Sequence, residues 1–256
     1  MNNRGIVVAS FGSSYLEAKK KSFDAIEDLV KGEYKDYLVE SSYSSGIVRG
    51  ILKKRDGIES RTTEEQVDDM KARGIEDIAI LSLYVIPGVE YEKSTGQGLP
   101  RTLTLLEEEE YYDDIMKALK IEDKEEVVIL VGHGTYVEAD SYYGNFQRYI
   151  YSKGFDNVYI SSLEGANGLD DLLEKIKGKH NRVRLVPFLI VAGDHAQNDI
   201  FGEEDSYLSA FKENGIEVVE DRQGLGERRG IQEVFLKKLE ALLSKMDEFE
   251  KIGGYF

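Results

Sequence analysis

Short apolar runs and stretches with helical spacing take turns along this chain, and that order constrains the fold more than any other feature. Such alternation produces a parallel sheet with helices on its faces. Strands are expected over residues 5–10, 37–42, 77–86, 127–131, 158–162, 182–191 and 216–220. Helices are expected over 16–31, 47–55, 63–73, 115–119, 142–151, 169–177, 205–214 and 231–249. In the first of these, Phe23, Ile26, Leu29 and Val30 share one face. In the third, Thr62 or Thr63 caps the N-terminus, Glu65 or Gln66 reciprocates, and Gly74 stops the helix. Residues 94–100, with two glycines and a proline, read as a spacer. At 256 residues the chain is long enough to bury a sizeable core.

The two halves resemble each other. Residues 6–15 parallel 127–136, and 83–90 parallel 188–195, which sets Glu90 opposite His195. A duplication would place the lobes at 1–112 and 113–256, with the last helix either staying in the second lobe or packing back on the first. Two such lobes facing each other would bring His133, His195 and Glu90 towards one cleft. The alternative is the strand–glycine–helix texture common to all parallel α/β folds.

Charge and composition narrow the partners. The formal net charge is −16, which argues against nucleic acid and against an anionic membrane. There are no cysteines, so thiolate catalysis, iron–sulfur ligation and Cys-based zinc sites are excluded. No run approaches the ~18 apolar residues of a membrane span, and the first residues carry no leader pattern. The expected setting is the cytoplasm.

His133 and His195 are two of three histidines, and each follows an apolar run. Both therefore sit at a strand's carboxyl end, where ligand chemistry collects in open parallel sheets. His133 lies in Val-Gly-His-Gly, and its flanking glycines permit close backbone approach. His195 follows Gly193 and Asp194; Asp194 either orients the ring or caps a helix. Glu164, after the strand over 158–162 and before Gly165, is a third strand-end group or a solvated loop carboxylate. Two imidazoles and a carboxylate with an open position suit cobalt, iron, nickel or zinc. His180 falls in a polar loop at the opposite end of the sheet and reads as exposed and inert. Ser10, Ser13, Ser14 and Tyr15 form a hydroxyl-rich loop that could hold a carboxylate or phosphate. No P-loop lysine, Rossmann fingerprint or Gly-x-Ser-x-Gly elbow is present. Arg49, Lys53, Lys54 and Arg55 make a basic patch, either a solvated helix face or a partner for an anionic ligand.

Taken together, these pieces resemble the class II tetrapyrrole chelatases, in particular the anaerobic sirohydrochlorin cobaltochelatase family. Residues 8–15, 45–49, 54–58, 88–93, 131–134, 191–199 and 224–227 carry the resemblance, in order over nearly the whole chain. The more specific pieces are Arg-Asp-Gly-Ile from Arg55, Glu-Tyr-Glu-Lys from Glu90 and Ala-Gly-Asp-His ending at His195. The resemblance implies an α/β fold of two similar flavodoxin-like lobes, each with a parallel sheet, and an active-site cleft between them. It implies insertion of Co2+ into sirohydrochlorin with release of two protons, in anaerobic cobalamin biosynthesis, without an organic cofactor. His133, Glu164 and His195 are its implied metal ligands. His133 also takes a pyrrole proton, and Glu90 faces the cleft from the first lobe. Ser10, Ser13, Tyr15 and Tyr84 are the expected substrate contacts. Fe2+ and Ni2+ stay open as metals, as do sirohydrochlorin ferrochelatase activity and non-catalytic tetrapyrrole or haem binding. The expected partners are the tetrapyrrole and a divalent ion, with no nucleic acid and no membrane; a homo-oligomer is left open. Two departures from the family pattern stand out. Tyr84 occupies a place where a histidine is expected, and the segment between Lys93 and Asp113 is short and carries the acidic run Glu107 to Glu110.

Overall fold

Ile6-Val7-Val8-Ala9 and Val128-Ile129-Leu130-Val131 are apolar at every position, and all eight residues are buried. A strand apolar on both faces belongs inside a parallel sheet, between two neighbours. The computed structural model, which describes residues 3–95 and 98–251, places each run there. The chain divides into two compact units, Met1–Glu107 with Gln232–Phe256, and Glu108–Ile231.

Unit 1 runs β1 (Arg4–Ser10), α1 (Leu16–Lys19), α2 (Ala25–Glu33), β2 (Leu38–Tyr43), α3 (Gly46–Ile51), α4 (Thr63–Ala72), β3 (Asp77–Ser82) and α5 (Val89–Thr95). Among the described residues its sheet is parallel, in the order β2-β1-β3. Unit 2 runs α6 (Tyr112–Ala118), β4 (Val128–Gly132), α7 (Ser141–Ser152), β5 (Val158–Ser162), α8 (Leu169–Ile176), β6 (Arg182–Pro187), α9 (Tyr207–Glu213) and β7 (Glu217–Glu220). Its parallel sheet has the order β5-β4-β6-β7. In both units the first strand lies between the second and the third. The final helix, α10 (Arg229–Lys251), begins in unit 2 and continues in unit 1 from Gln232. There it buries Val234, Phe235, Leu239, Leu243 and Met246, and Asp247 pairs with Arg4 of β1 at 2.7 Å. The units therefore part at Glu107, five residues before the division expected at 112, and the last helix does not stay with the second unit.

Local sequence explains several element ends. Thr62 rather than Thr63 caps α4: its hydroxyl accepts from the Glu65 amide at 3.1 Å, and the Glu65 carboxylate accepts from the Thr62 amide at 2.7 Å. The helix expected over 16–31 contains a π turn at Lys20–Asp24, where the Ser22 hydroxyl donates to the Ala18 carbonyl at 2.6 Å. Hydroxyls bonded back onto the preceding turn commonly loosen a helix. α5 has no counterpart among the expected helices because Tyr91 and Ser94 are its deeply buried residues, too few for an apolar stripe. In the spacer expected over 94–100, residues 96 and 97 lie outside the described residues.

Two strands end earlier than their apolar runs. β3 stops at Ser82, and β6 at Pro187. Beyond these points the backbone finds other donors. Tyr84 and Val85 carbonyls accept from Leu105 and Leu106, at 2.9 and 3.0 Å. Leu189 and Ile190 accept from Leu225 and Gly226, each at 2.8 Å. Pro187 itself has no amide for a ladder. Burial continues through these segments, so hydropathy alone reads them as strand.

These bonds also define which residues of the two units correspond. The Leu83 amide donates to Ala9 and the Phe188 amide to Val131. Ser44 and Ser45 donate to Ser10 and Phe11; Leu163 and Glu164 donate to Gly132 and His133. The first pairing of segments read from the sequence is thus shifted by one residue. Phe11 answers His133, and Gly12 answers Gly134. The second pairing keeps its register, with Glu90 answering His195.

Candidate active site

The site is built on the carboxyl ends of β4, β5 and β6 in unit 2. β4 is buried throughout, and His133 is the first residue beyond it. Gly134 then adopts φ +80°, which L side chains avoid. A Cβ at Gly134 would also lie 1.4 Å from the Glu164 carbonyl oxygen, so only glycine fits. The Glu164 amide donates to the His133 carbonyl at 2.7 Å, and Leu163 donates to Gly132 at 3.0 Å. The β4 and β5 loops are therefore zipped together through their backbones.

Two side chains complete the support. Asp140 accepts from the Thr135 amide at 3.2 Å and from the Ala166 amide at 3.4 Å, which ties the same two loops across their tips. The Tyr143 phenol, on α7, lies beside the backbone of His133 and Gly134; burial pushes its pKa upward, and that backbone pulls it slightly down. Phe146 of α7 stacks on the Phe188 ring, with centroids 5.8 Å apart. His133 itself is half-buried. Its Nδ1 faces the Gly134 carbonyl at 3.1 Å, an acceptor, so Nδ1 donates and Nε2 keeps its lone pair.

His195 reaches the same place from the segment after β6. Its ring meets that of His133 edge to face, with centroids 4.8 Å apart and planes at 86°. The ring is exposed, and its Nδ1 lies 2.7 Å from Asp199 Oδ2. Asp199 thus takes the role suggested for Asp194, whose carboxylate accepts from Asn198 Nδ2 at 3.0 Å. The segment Ala196–Ile200 is a π turn, anchored by buried Ala196, Ile200 and Phe201. Such turns recur at functional sites.

The structure brings His133 and His195 together. Glu164 is joined to His133 through its backbone, with its side chain exposed. Among the described residues, no group of three or more His, Asp or Glu side chains is arranged to hold a metal ion. His180, expected to be exposed and inert, is half-buried and bonded through Nε2 to the Tyr159 hydroxyl at 3.3 Å.

Glu90, Ser10, Ser13, Tyr15 and Tyr84 belong to unit 1. Glu90 lies in the first turn of α5 and pairs with Lys93 at 3.0 Å. Ser10 and Tyr84 are buried, and neither hydroxyl has a hydrogen-bond partner among the described residues. Burial pushes the Tyr84 phenol up to about 12; the hydroxyls of Ser44 and Ser94 pull it slightly down without completing a hydrogen bond to it. The Ser13 hydroxyl accepts from the Tyr15 amide at 3.2 Å, and the Tyr15 ring is exposed. Nearby, a concavity of about 490 Å3 is lined by Ile47, Ile51, Lys54 and Arg55. In the basic patch, Lys53 pairs with Glu59, Arg55 with Asp56, and Arg49 with Glu65.

The cobalt chelatase (CbiK) family model matches residues 4–244. The chain belongs to this family. As a cobalt chelatase family member it is 28% identical to the sirohydrochlorin cobaltochelatase of Salmonella typhimurium, over 94% of this chain and 97% of that protein. It is 25% identical to the sirohydrochlorin cobaltochelatase CbiKC of Nitratidesulfovibrio vulgaris, over 97% and 93%. Its fold is that of SirB from Bacillus subtilis with Fe3+, at TM-score 0.66 and 13% identity over 96% of this chain and 97% of SirB. SirB of the subspecies spizizenii, in complex with cobalt, gives TM-score 0.61 at 12% identity, over 93% and 94%. The residues that sequence reasoning missed in this cobalt chelatase family member are Asp140, Tyr143 and Asp199. Only Asp199 carried a signal, its spacing of four from His195, which makes neighbours on a helix.

Proposed function

We propose that the protein is a sirohydrochlorin cobaltochelatase, which inserts Co2+ into sirohydrochlorin and releases two protons in anaerobic cobalamin biosynthesis. The observation that carries this reading is the edge-to-face pair of His133, just beyond β4, and His195, on the segment after β6, in a chain of the cobalt chelatase family. Insertion requires the ion to shed water and two pyrrole nitrogens to lose protons. A neutral imidazole can ligate the ion and accept a proton in turn. His133, with Nδ1 committed to the Gly134 carbonyl, presents Nε2 for both tasks. His195 is the second ligand. Glu164 is the third, brought in by side-chain rotation about a backbone already bonded to His133. Glu90 acts as a proton relay, and Tyr15, with its exposed ring, contacts the substrate; Ser10, Ser13 and Tyr84, expected as contacts, are buried. Lys54 and Arg55, beside exposed Ile47 and Ile51, suit a macrocycle apolar at its centre and carboxylated at its rim. The reaction uses no organic cofactor and takes place in the cytoplasm.

The test is an absorbance assay with sirohydrochlorin and Co2+, alone and in competition with Fe2+ and Ni2+. Metallation well above the uncatalysed rate, lost in His133→Ala and His195→Ala, is the expected result. A bound spectrum without turnover, equal in all three proteins, would replace the chelatase with a tetrapyrrole carrier. Preferential turnover with Fe2+ would make the activity that of a ferrochelatase.

A further inference from the structure

We propose that Asp199 is the positioning residue of the cobalt site: its hydrogen bond to His195 Nδ1 holds the imidazole in the tautomer and rotamer that present Nε2 to the ion. This rests on the reading of His195 as a metal ligand. His195 is 45% exposed, so packing does not hold its ring. It meets the His133 ring edge to face and Asp199 Oδ2 at 2.7 Å. A carboxylate oxygen only accepts, so Nδ1 must carry the hydrogen and the lone pair falls on Nε2. His133 reaches the same state through a backbone carbonyl. Two nitrogens with free lone pairs thus come from two different orienting groups.

Asp199 is itself held in place. It sits on the π turn between buried Ala196 and Ile200, and the turn closes with the Phe201 amide on the Ala196 carbonyl at 3.0 Å. The unit 1 counterpart sharpens the assignment. Glu90 answers His195 there, and four residues on stands Ser94, whose hydroxyl donates to its own helix at Tyr91. The orienting carboxylate accompanies the imidazole and is absent where the site residue is a carboxylate. A carboxylate or carbonyl behind a ligating histidine typically contributes 10–100-fold in metal affinity.

The experiment uses the whole chain and Co2+ alone, at about pH 8, where imidazoles are neutral. Cobalt affinity is measured by titration, and ring tautomers by 15N-detected imidazole NMR. The chain has three histidines, so single His→Ala variants assign every ring. In wild type the His195 signal should report Nδ1–H. Asp199→Leu should mix the tautomers, leave the His180 signal unchanged and weaken Co2+ binding about 10–100-fold. Asp199→Asn, whose amide oxygen still accepts from Nδ1–H, should restore the tautomer and most of the affinity. Unchanged affinity and tautomer in Asp199→Leu would overturn the proposal and leave His195 as a ligand. Equal losses in the Asn and Leu variants would also overturn it, by making the carboxylate a direct ligand. If His195→Ala binds Co2+ as wild type does, the underlying ligand assignment fails, and the role of Asp199 with it.

Discussion

Phe11, Ser45 and Glu90 of unit 1 occupy the places that His133, Glu164 and His195 hold in unit 2, according to the backbone hydrogen bonds that register the two sheets. Both units use the same device at the first strand end. A glycine with positive φ, Gly12 at +90° and Gly134 at +80°, turns the chain out of the central strand. The surroundings of that turn differ. In unit 2 the turn is packed on a backbone carbonyl and braced by Asp140 and Tyr143. In unit 1 it is packed on the side chains of Tyr43 and Val48, and Phe11 projects an exposed ring. One backbone frame therefore serves an imidazole pair in one unit and an exposed aromatic surface, Phe11 and Tyr15, in the other. The frame decides where side chains stand; a handful of substitutions decides what they do.

The comparison can be broken most severely at the glycines. Gly134→Ala should cost about 4 kcal/mol, roughly half from left-handed strain and half from displacing the Glu164 carbonyl. Gly12→Ala meets the Cγ and Cβ of buried Tyr43 less severely, at 2.9 and 3.0 Å, and should cost about 3 kcal/mol; urea unfolding of both variants would show whether that ranking holds. Next comes chemistry. His133→Ala should lower the metallation rate about a hundredfold or more, whereas Phe11→Ala should leave Co2+ affinity within about twofold and raise the KM for the tetrapyrrole. Equal losses of cobalt affinity in the two variants would break the comparison. Tyr143→Phe removes the buried phenol oxygen beside the His133 and Gly134 backbone and should cost about 1 kcal/mol, read from the shift in unfolding midpoint.

The smallest effect concerns pH. The Tyr84 phenol lies at about 12 in the folded chain, above its ordinary 10, so the native state favours the protonated form. Its contribution is fully present below about pH 10 and is lost as pH rises towards about 12. Tyr84→Phe should flatten that alkaline loss. Below pH 10 it should change stability by less than about 1 kcal/mol, because the hydroxyl it removes has no hydrogen-bond partner. A steeper alkaline loss in the variant than in wild type would contradict the assignment.

Much of this molecule is legible in its sequence. The strand over 158–162 is found at the expected bounds, and the other strands within a few residues. The Thr62 capping box forms as its spacing requires. The extended readings of 77–86 and 182–191 go wrong for one reason: burial outlasts the ladder, and the partners that capture Tyr84 and Leu189 come from far along the chain. The π turn at Lys20–Asp24 and the helix Val89–Thr95 leave too little periodic signal to be read.

The apolar alternation by itself determined the parallel α/β class, because runs buried on both faces have no other home. The sequence also determined that His133 would stand at a strand end, since it directly follows such a run; His195 stands eight residues beyond the end of β6. Only the tertiary structure decided that their rings meet at 4.8 Å, that Asp199 rather than Asp194 orients one of them, and that the β4 and β5 loops are zipped through Glu164. It alone set the register in which Phe11 answers His133. Periodicity is a property of neighbours along the chain. Which groups touch across strands and loops depends on hydrogen bonds between segments tens of residues apart, and no local pattern records them.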